Sequence, residues 1–202
     1  MLVIAVTGGL GSGKSTAAEY FRSRGAIVLS LDDIAHQAIA PGMPAYDRIV
    51  EVFGDDVVGP DGAIDRAALA ARAFDSDEDA ALLNRLVHPS VLREVVEGIT
   101  NLRLMERPPA VVVLEIPLLA ESPVFADVAD MVLALHAPEN VRIDRAVSAG
   151  MSEPDVRRRI SHQASDAQRA AFADRVIGND GGLEEFLGKL EQYWDEVAPR
   201  GS

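Results

Sequence analysis

Leu2-Val-Ile-Ala-Val-Thr-Gly-Gly-Leu-Gly-Ser-Gly-Lys-Ser-Thr16 is the stretch that decides the fold. Its first five residues are apolar and mostly β-branched or leucine, the pattern of a strand buried on both faces. Residues 8–15 then match G-x-x-x-x-G-K-[ST]. The glycines allow backbone conformations and close approaches that a Cβ forbids. Successive N–H groups, among them those of Gly11, Ser12 and Gly13, can therefore turn inward around a phosphate at a helix start, where the dipole favours anions. In such a loop Lys14 reaches the β- and γ-phosphate oxygens and the Ser15 hydroxyl ligates Mg2+, with Thr16 following. A helical pattern over residues 14–24 stops at Gly25, a natural C-terminal cap, and residues 26–31 read as a second buried strand. The first 31 residues thus form one βαβ unit and imply a parallel sheet.

Working outward, residues 110–115 and 130–135 fit further strands of that sheet, and residues 175–178 supply a short last one. Residues 32–107 show helical periodicity and no good strand. There Ser76-x-x-Asp79 opens one helix as a capping box, and Pro89 suits the first position of the next. Residues 138–173 are also helical and rich in arginine; residues 138–175 hold seven arginines against six carboxylates, in a chain of net charge −13. Leu183, Phe186, Leu187, Leu190, Tyr193, Trp194 and Val197 follow the i, i+3, i+4, i+7 rule and read as a core stripe. The expected fold is α/β, the three-layer arrangement of P-loop NTPases. Its nucleotide-binding core takes residues 1–31, 108–137 and 174–202, with a helical insertion at 32–107 and a helical lid at 138–173.

With 202 residues the chain can bury a sizeable core. Its acidity, pI about 4.6, makes nucleic acid and anionic membrane surfaces poor partners. The absence of cysteine excludes disulfides, thiolate metal sites and cysteine nucleophiles. No apolar run approaches the ~18 residues that span a bilayer, and no basic n-region of a secretory leader is visible, so a cytoplasmic location is expected. His88, His136 and His162 lack metal-ligand spacing. Only Lys14 and Lys189 are lysines, so lysine chemistry has two possible positions.

The loop leaves open what becomes of the γ-phosphate. Neither lysine follows an asparagine, which excludes the Asn-Lys-x-Asp base reader of GTPases. Residues 111–114 are followed by one carboxylate, Glu115, rather than the acidic pair of AAA-type machines. A short chain with a helical insertion and an arginine-rich segment best fits a small-molecule kinase whose arginines close over ATP. Such an enzyme needs a group that orients or deprotonates the acceptor hydroxyl. Asp32 and Asp33, with His36 after them, stand at the C-terminal end of the second strand, where open α/β sheets bind ligands. One of the pair can be the base and the other a helix cap near Ile34, a place Asp33 suits better.

Beyond these residues the chain carries Asp32-x-Ile-Ala-His36-Gln, Pro41-Gly, Phe53-Gly, Asp61-Gly, Leu86-Val-His88-Pro89, Glu115-Ile-Pro-Leu-Leu-x-Glu121, Arg159-Ile-x-x-Gln163 and Ala173-Asp-x-Val-Ile-x-Asn179. With the phosphate loop, these elements make it resemble the dephospho-CoA kinases nearly end to end. The Pro-Leu-Leu-x-Glu and His-Pro elements are the most specific to that family. The resemblance implies ATP-dependent phosphorylation of the ribose 3′-hydroxyl of dephospho-CoA, the last step of coenzyme A synthesis. It also implies a five-stranded parallel core, a CoA-binding helical domain and a lid. By position Asp32 corresponds to the catalytic base, and Arg145, or Arg142 in a shifted register, to the lid arginine that contacts the phosphates. The resemblance places Asn179 with the nucleotide. His36, His88, Pro117, Leu118, Leu119 and Glu121 fall with the acceptor, with core packing the other reading for the two leucines. Mg2+ with ATP is the implied cofactor, and ATP and dephospho-CoA are the implied partners, in a monomer or weak homo-oligomer. Ser30 stands where the family usually has aspartate, and Ala149 where its lid usually has a second arginine, so a slower enzyme is expected. A different P-loop kinase and a non-catalytic nucleotide-binding regulator are the competing readings.

Overall fold

The protein is described by a computed structural model, which covers residues 1–73, 76–117, 119–120 and 122–198. Leu118, Glu121 and the last four residues therefore lie outside the described residues. The chain divides into two compact units, Met1–Ser30 with Leu102–Ser202, and Leu31–Asn101.

The first unit starts with β1 (Leu2–Gly8), α1 (Lys14–Ser23) and β2 (Ile27–Ser30). The second unit holds α2 (Leu31–Ala38), α3 (Pro44–Phe53), α4 (Arg66–Ala73) and most of α5 (Asp77–Arg103). The chain then returns through β3 (Val111–Glu115), β4 (Met131–His136), α6 (Glu139–Ser148), α7 (Glu153–Ser161), α8 (Asp166–Ala171), β5 (Arg175–Gly178) and α9 (Leu183–Val197). All five strands are parallel, in the order β2-β3-β1-β4-β5. The central strand β1 pairs Leu2 with Val111 and Ile4 with Met131. Flanked on both edges, it keeps Val3, Ile4, Ala5 and Val6 fully buried, which accounts for its unbroken apolar run. Asp130 and Asp174 fasten the strands at their starts: they accept the N–H groups of Val3 at 2.8 Å and Val132 at 2.7 Å. Phe21 of α1 stacks on Trp194 and meets Tyr193 edge-on, so α1 and α9 cover one face of the sheet together.

The second unit has its own core, in which Ile49, Phe53, Val57, Ile64, Leu69 and Ala73 pack with Leu83, Leu86 and Val87. Ser76 caps α5 by accepting the Asp79 N–H at 3.1 Å, and its hydroxyl donates to the Asp79 carboxylate at 2.8 Å.

Four local expectations are corrected. The second strand lies at the sheet edge, so it is not fully buried and Ile27 remains 41% exposed. It ends at Ser30, because Leu31 turns inward as the first residue of α2. Asp32 and Asp33 thus both sit in the first turn, where negative charge suits the helix dipole, and Asp33 is no cap for a helix beginning near Ile34. Pro89 starts no new helix and lies inside the 27-residue α5. The apolar residues Leu83, Val87, Val91, Val95 and Ile99 recur every four positions on either side of it, so packing of one continuous stripe outweighs the lost backbone hydrogen bond. Finally, Leu183 is 63% exposed at the first turn of α9, and the stripe begins at Phe186.

Candidate active site

The loop between β1 and α1 is built by backbone rather than side chains. Gly13, at φ +100°, is the N-cap of α1 and provides no side-chain cap. The first turn holds no acidic residue, so its N–H groups and the positive dipole end are left to an anion. A Cβ on Gly13 would overlap Asn179 Nδ2, and a Cβ on Gly11, at φ +75°, would overlap the Arg142 carbonyl. Both positions require glycine for conformation and for space. Lys14 Nζ donates to the carbonyls of Gly8 at 2.9 Å and Gly9 at 3.1 Å, which holds the ammonium across the loop. Ser15 presents an exposed hydroxyl at the first turn of α1. Thr7 Oγ1 and Ser12 Oγ are buried without a hydrogen-bond partner among the described residues.

The loop is fastened from the residue that follows β5 and from α6. Asn179, 5% exposed, donates Nδ2 to the Ser12 carbonyl at 2.9 Å. Arg145 donates to the Asn179 carbonyl at 3.0 Å, to its Oδ1 at 3.1 Å and to the Gly181 carbonyl at 3.5 Å. The structure therefore brings Gly11, Ser12, Gly13, Lys14, Ser15, Thr16, Arg145 and Asn179 into one neighbourhood of the first unit. Glu115 ends β3 in register with both Val6 and Ser30. Just beyond it, Pro117 is half-buried and Leu119 fully buried.

In the second unit Asp32 and His36 are exposed on α2, four residues apart and so on one helical face. Arg66 Nη1 lies 3.5 Å from His36 Nδ1. His88 is half-buried on α5, and burial holds its pKa below the usual histidine value.

Several contacts go beyond the sequence reading. Gln163, quoted above only as part of a motif, accepts the Leu10 N–H at 3.0 Å. Leu10 itself packs on Ile143, Ala146, Val156 and Ile160 of α6 and α7. Arg142 and Arg169 are 5% and 4% exposed and lie against Gly9. Asp166 bonds Arg169 at 2.7 Å and His136 at 2.9 Å. Burial would raise the Asp166 pKa, but the Arg169 hydrogen bond and charge, with Arg142 and His136, hold it below the usual carboxylate value. Arginine counting flagged the segment, but only tertiary structure shows which arginines turn inward.

A dephospho-CoA kinase family model matches residues 2–185. The chain belongs to the dephospho-CoA kinase family. A Thermobifida fusca dephospho-CoA kinase is 39% identical over 201 residues, covering 99% of this chain and 98% of that protein. One from Corynebacterium glutamicum is 38% identical over 201 residues, with 99% of each chain covered. Among solved structures, a Thermus thermophilus protein superposes with a TM-score of 0.81 at 33% identity, covering 98% of both chains. Dephospho-CoA kinases are transferases that use ATP in coenzyme A biosynthesis. The five-stranded parallel sheet is that of the P-loop kinase fold expected from the opening motif. Among the described residues, no helix is long and apolar enough to cross a membrane.

Proposed function

We propose that this chain transfers the γ-phosphoryl group of ATP to the ribose 3′-hydroxyl of dephospho-CoA, giving coenzyme A and ADP in the cytoplasm. The observation that carries this reading is the phosphate loop, with Lys14 across it and Asn179 and Arg145 behind it, in a chain of this family. In the reaction the acceptor oxygen forms a bond to the γ-phosphorus and gives its proton to the Asp32 carboxylate. The bond from that phosphorus to the β–γ bridging oxygen breaks, and its electron pair leaves with ADP.

Loop N–H groups and Lys14 balance charge on the β- and γ-oxygens, while Arg145 and Asn179 hold the loop and the nucleotide beside it. The exposed Ser15 hydroxyl at the anion-favouring helix start fits Mg2+ carried on the nucleotide, which when bound neutralises phosphate charge. Residues 138–173 act as the lid and residues 32–107 as the acceptor-binding domain. The family motifs assign acceptor contacts to Asp32, His36 and His88, and to Pro117, Leu118, Leu119 and Glu121.

The test is incubation of purified protein with MgATP and dephospho-CoA, with mass detection of a product about 80 Da heavier, one HPO3. The product is expected to require Mg2+ and Lys14. Asp32→Asn should lower kcat by ~10²–10⁴ and leave ATP affinity unchanged. Folded wild-type protein that makes no such product would refute the activity, and an Asp32→Asn enzyme at the wild-type rate would remove Asp32 as the base.

A further inference from the structure

Arg159-Ile-x-x-Gln163 and the single leucine of the phosphate loop have no part in the chemistry described so far, yet they meet. Gln163 stands in the short link between α7 and α8, and its Oε1 accepts the Leu10 N–H at 3.0 Å across 153 residues of sequence. The Leu10 side chain enters an apolar socket. Ile143 and Ala146 of α6 and Val156 and Ile160 of α7 are buried around it, with Met151 of the connecting turn against them. Among the described residues, Leu10 is the one member of this cluster from outside α6, α7 and their turn.

The loop is shaped to present this leucine. The Ser12 N–H closes on the Gly9 carbonyl at 3.2 Å, so Leu10 and Gly11 are the central residues of a tight turn. The φ of +75° at Gly11 is what the third position of a type II turn requires. Gly11 also touches α6 directly, since a Cβ there would overlap the Arg142 backbone. A leucine side chain offers nothing to a phosphate, and the Leu10 N–H is already taken by Gln163. The base of the loop is tied to the same helix, through Arg145, Asn179 and the Ser12 carbonyl. Tip and base of the loop are thus both fastened to α6, and Gln163 adds the end of α7.

We propose that Leu10 and Gln163 are positioning residues that lock the phosphate loop to the α6–α7 pair. Leu10 is the knob, the two helices supply its socket, and Gln163 fixes the angle at which it enters. Loop and helix pair then order together, so a nucleotide that settles the loop also settles α6 and α7. The inference rests on the reading of the loop as an ATP site and adds to it the contact through which occupancy reaches the helices. Neither residue touches a reacting atom; each acts through the loop.

The experiment follows amide hydrogen exchange in residues 143–160 of the full chain, with and without Mg-ADP, beside Kd for Mg-ADP and steady-state kinetics with dephospho-CoA. It compares wild-type protein with Leu10→Ala, Leu10→Met, Gln163→Leu and Gln163→Glu. In wild type, Mg-ADP should slow exchange in these residues by about tenfold or more. In Leu10→Ala and Gln163→Leu the slowing should shrink to about twofold or less, while Kd for Mg-ADP stays within about threefold because the later loop donors remain. Their kcat should fall by about 10- to 100-fold, the cost of a misplacement of about 1 Å, with KM for dephospho-CoA unchanged. Leu10→Met refills the socket and Gln163→Glu restores an acceptor, so both should regain most of the slowing and most of kcat. Slowing equal to wild type in folded Leu10→Ala and Gln163→Leu overturns the lock. So does a loss of Mg-ADP affinity as large as the loss of kcat, which means that the loop itself has collapsed. If Leu10→Ala fails to fold, Gln163→Leu, whose socket stays filled, decides. Wild-type protein that shows the slowing but phosphorylates no dephospho-CoA refutes the proposed activity and supports the lock. Wild-type protein that binds Mg-ADP without the slowing overturns the lock alone, and one that binds no Mg-ADP refutes the ATP site and the lock with it.

Discussion

Replacing Asn179 with alanine is the sharpest single test of how the phosphate loop is held. The substitution removes the 2.9 Å bond to the Ser12 carbonyl and the 3.1 Å bond from Arg145 to Oδ1. Ser12 is 1% exposed, so its carbonyl loses a partner that water cannot easily replace. A neutral hydrogen bond is worth about 1 kcal/mol net and one from a charged donor about 1.5–3 kcal/mol. Arg145 keeps the Asn179 and Gly181 carbonyls, at 3.0 and 3.5 Å, so the lower part of the charged range applies. The loss is then about 2–3 kcal/mol, which lowers Tm by about 5–10 °C in a chain of this size. ATP affinity should fall by about tenfold, the equivalent of 1.4 kcal/mol, because the loop must be ordered before it can bind. Calorimetric unfolding and ATP titration read the two effects, and Asn179→Asp separates the two bonds because it keeps the acceptor for Arg145 and loses the donor to Ser12. A Tm within about 1 °C of wild type and unchanged ATP affinity in Asn179→Ala would show that Asn179 does not hold the loop.

Pro89→Ala should raise stability by about 1–3 kcal/mol, since it restores an N–H to the interior of α5 and removes a ring that clashes with the preceding turn. Denaturant unfolding checks this, and a lower midpoint would mean that the proline ring is needed for packing. His88 predicts a pH effect. Its folded-state pKa is lowered, so below about pH 6.5 the unfolded chain takes up a proton that the folded chain resists. Stability should therefore fall as pH drops from 7.5 to 5, and His88→Gln should flatten that slope; identical slopes would refute the contribution.

The sheet was legible because each strand is a short apolar run bounded by glycine or a charged residue, and β1 is sandwiched between two neighbours. The phosphate loop was legible because its glycines and lysine serve backbone geometry that no other residues provide. The edge position of β2 was not, because an apolar run does not say how many neighbours it has. Pro89 misled because local backbone chemistry predicts a boundary, whereas α5 is governed by a stripe that stays in phase across it. The roles of Arg142, Arg169 and Gln163 depend on contacts across more than 130 residues of sequence, which no local spacing encodes.

The central place of β1 has a consequence in time. Leu2 cannot find Val111 until more than a hundred further residues have been made, a wait of roughly 5–20 s at ordinary translation rates. Through that interval Val3, Ile4, Ala5 and Val6 have neither strand neighbour, although they begin the chain described here. The nucleotide pocket closes later still, because Asn179 follows the last strand. A nucleotide held at this loop, as proposed, therefore finds Asn179 only once all five strands have been made, and it stabilises the assembled sheet rather than guiding the early steps.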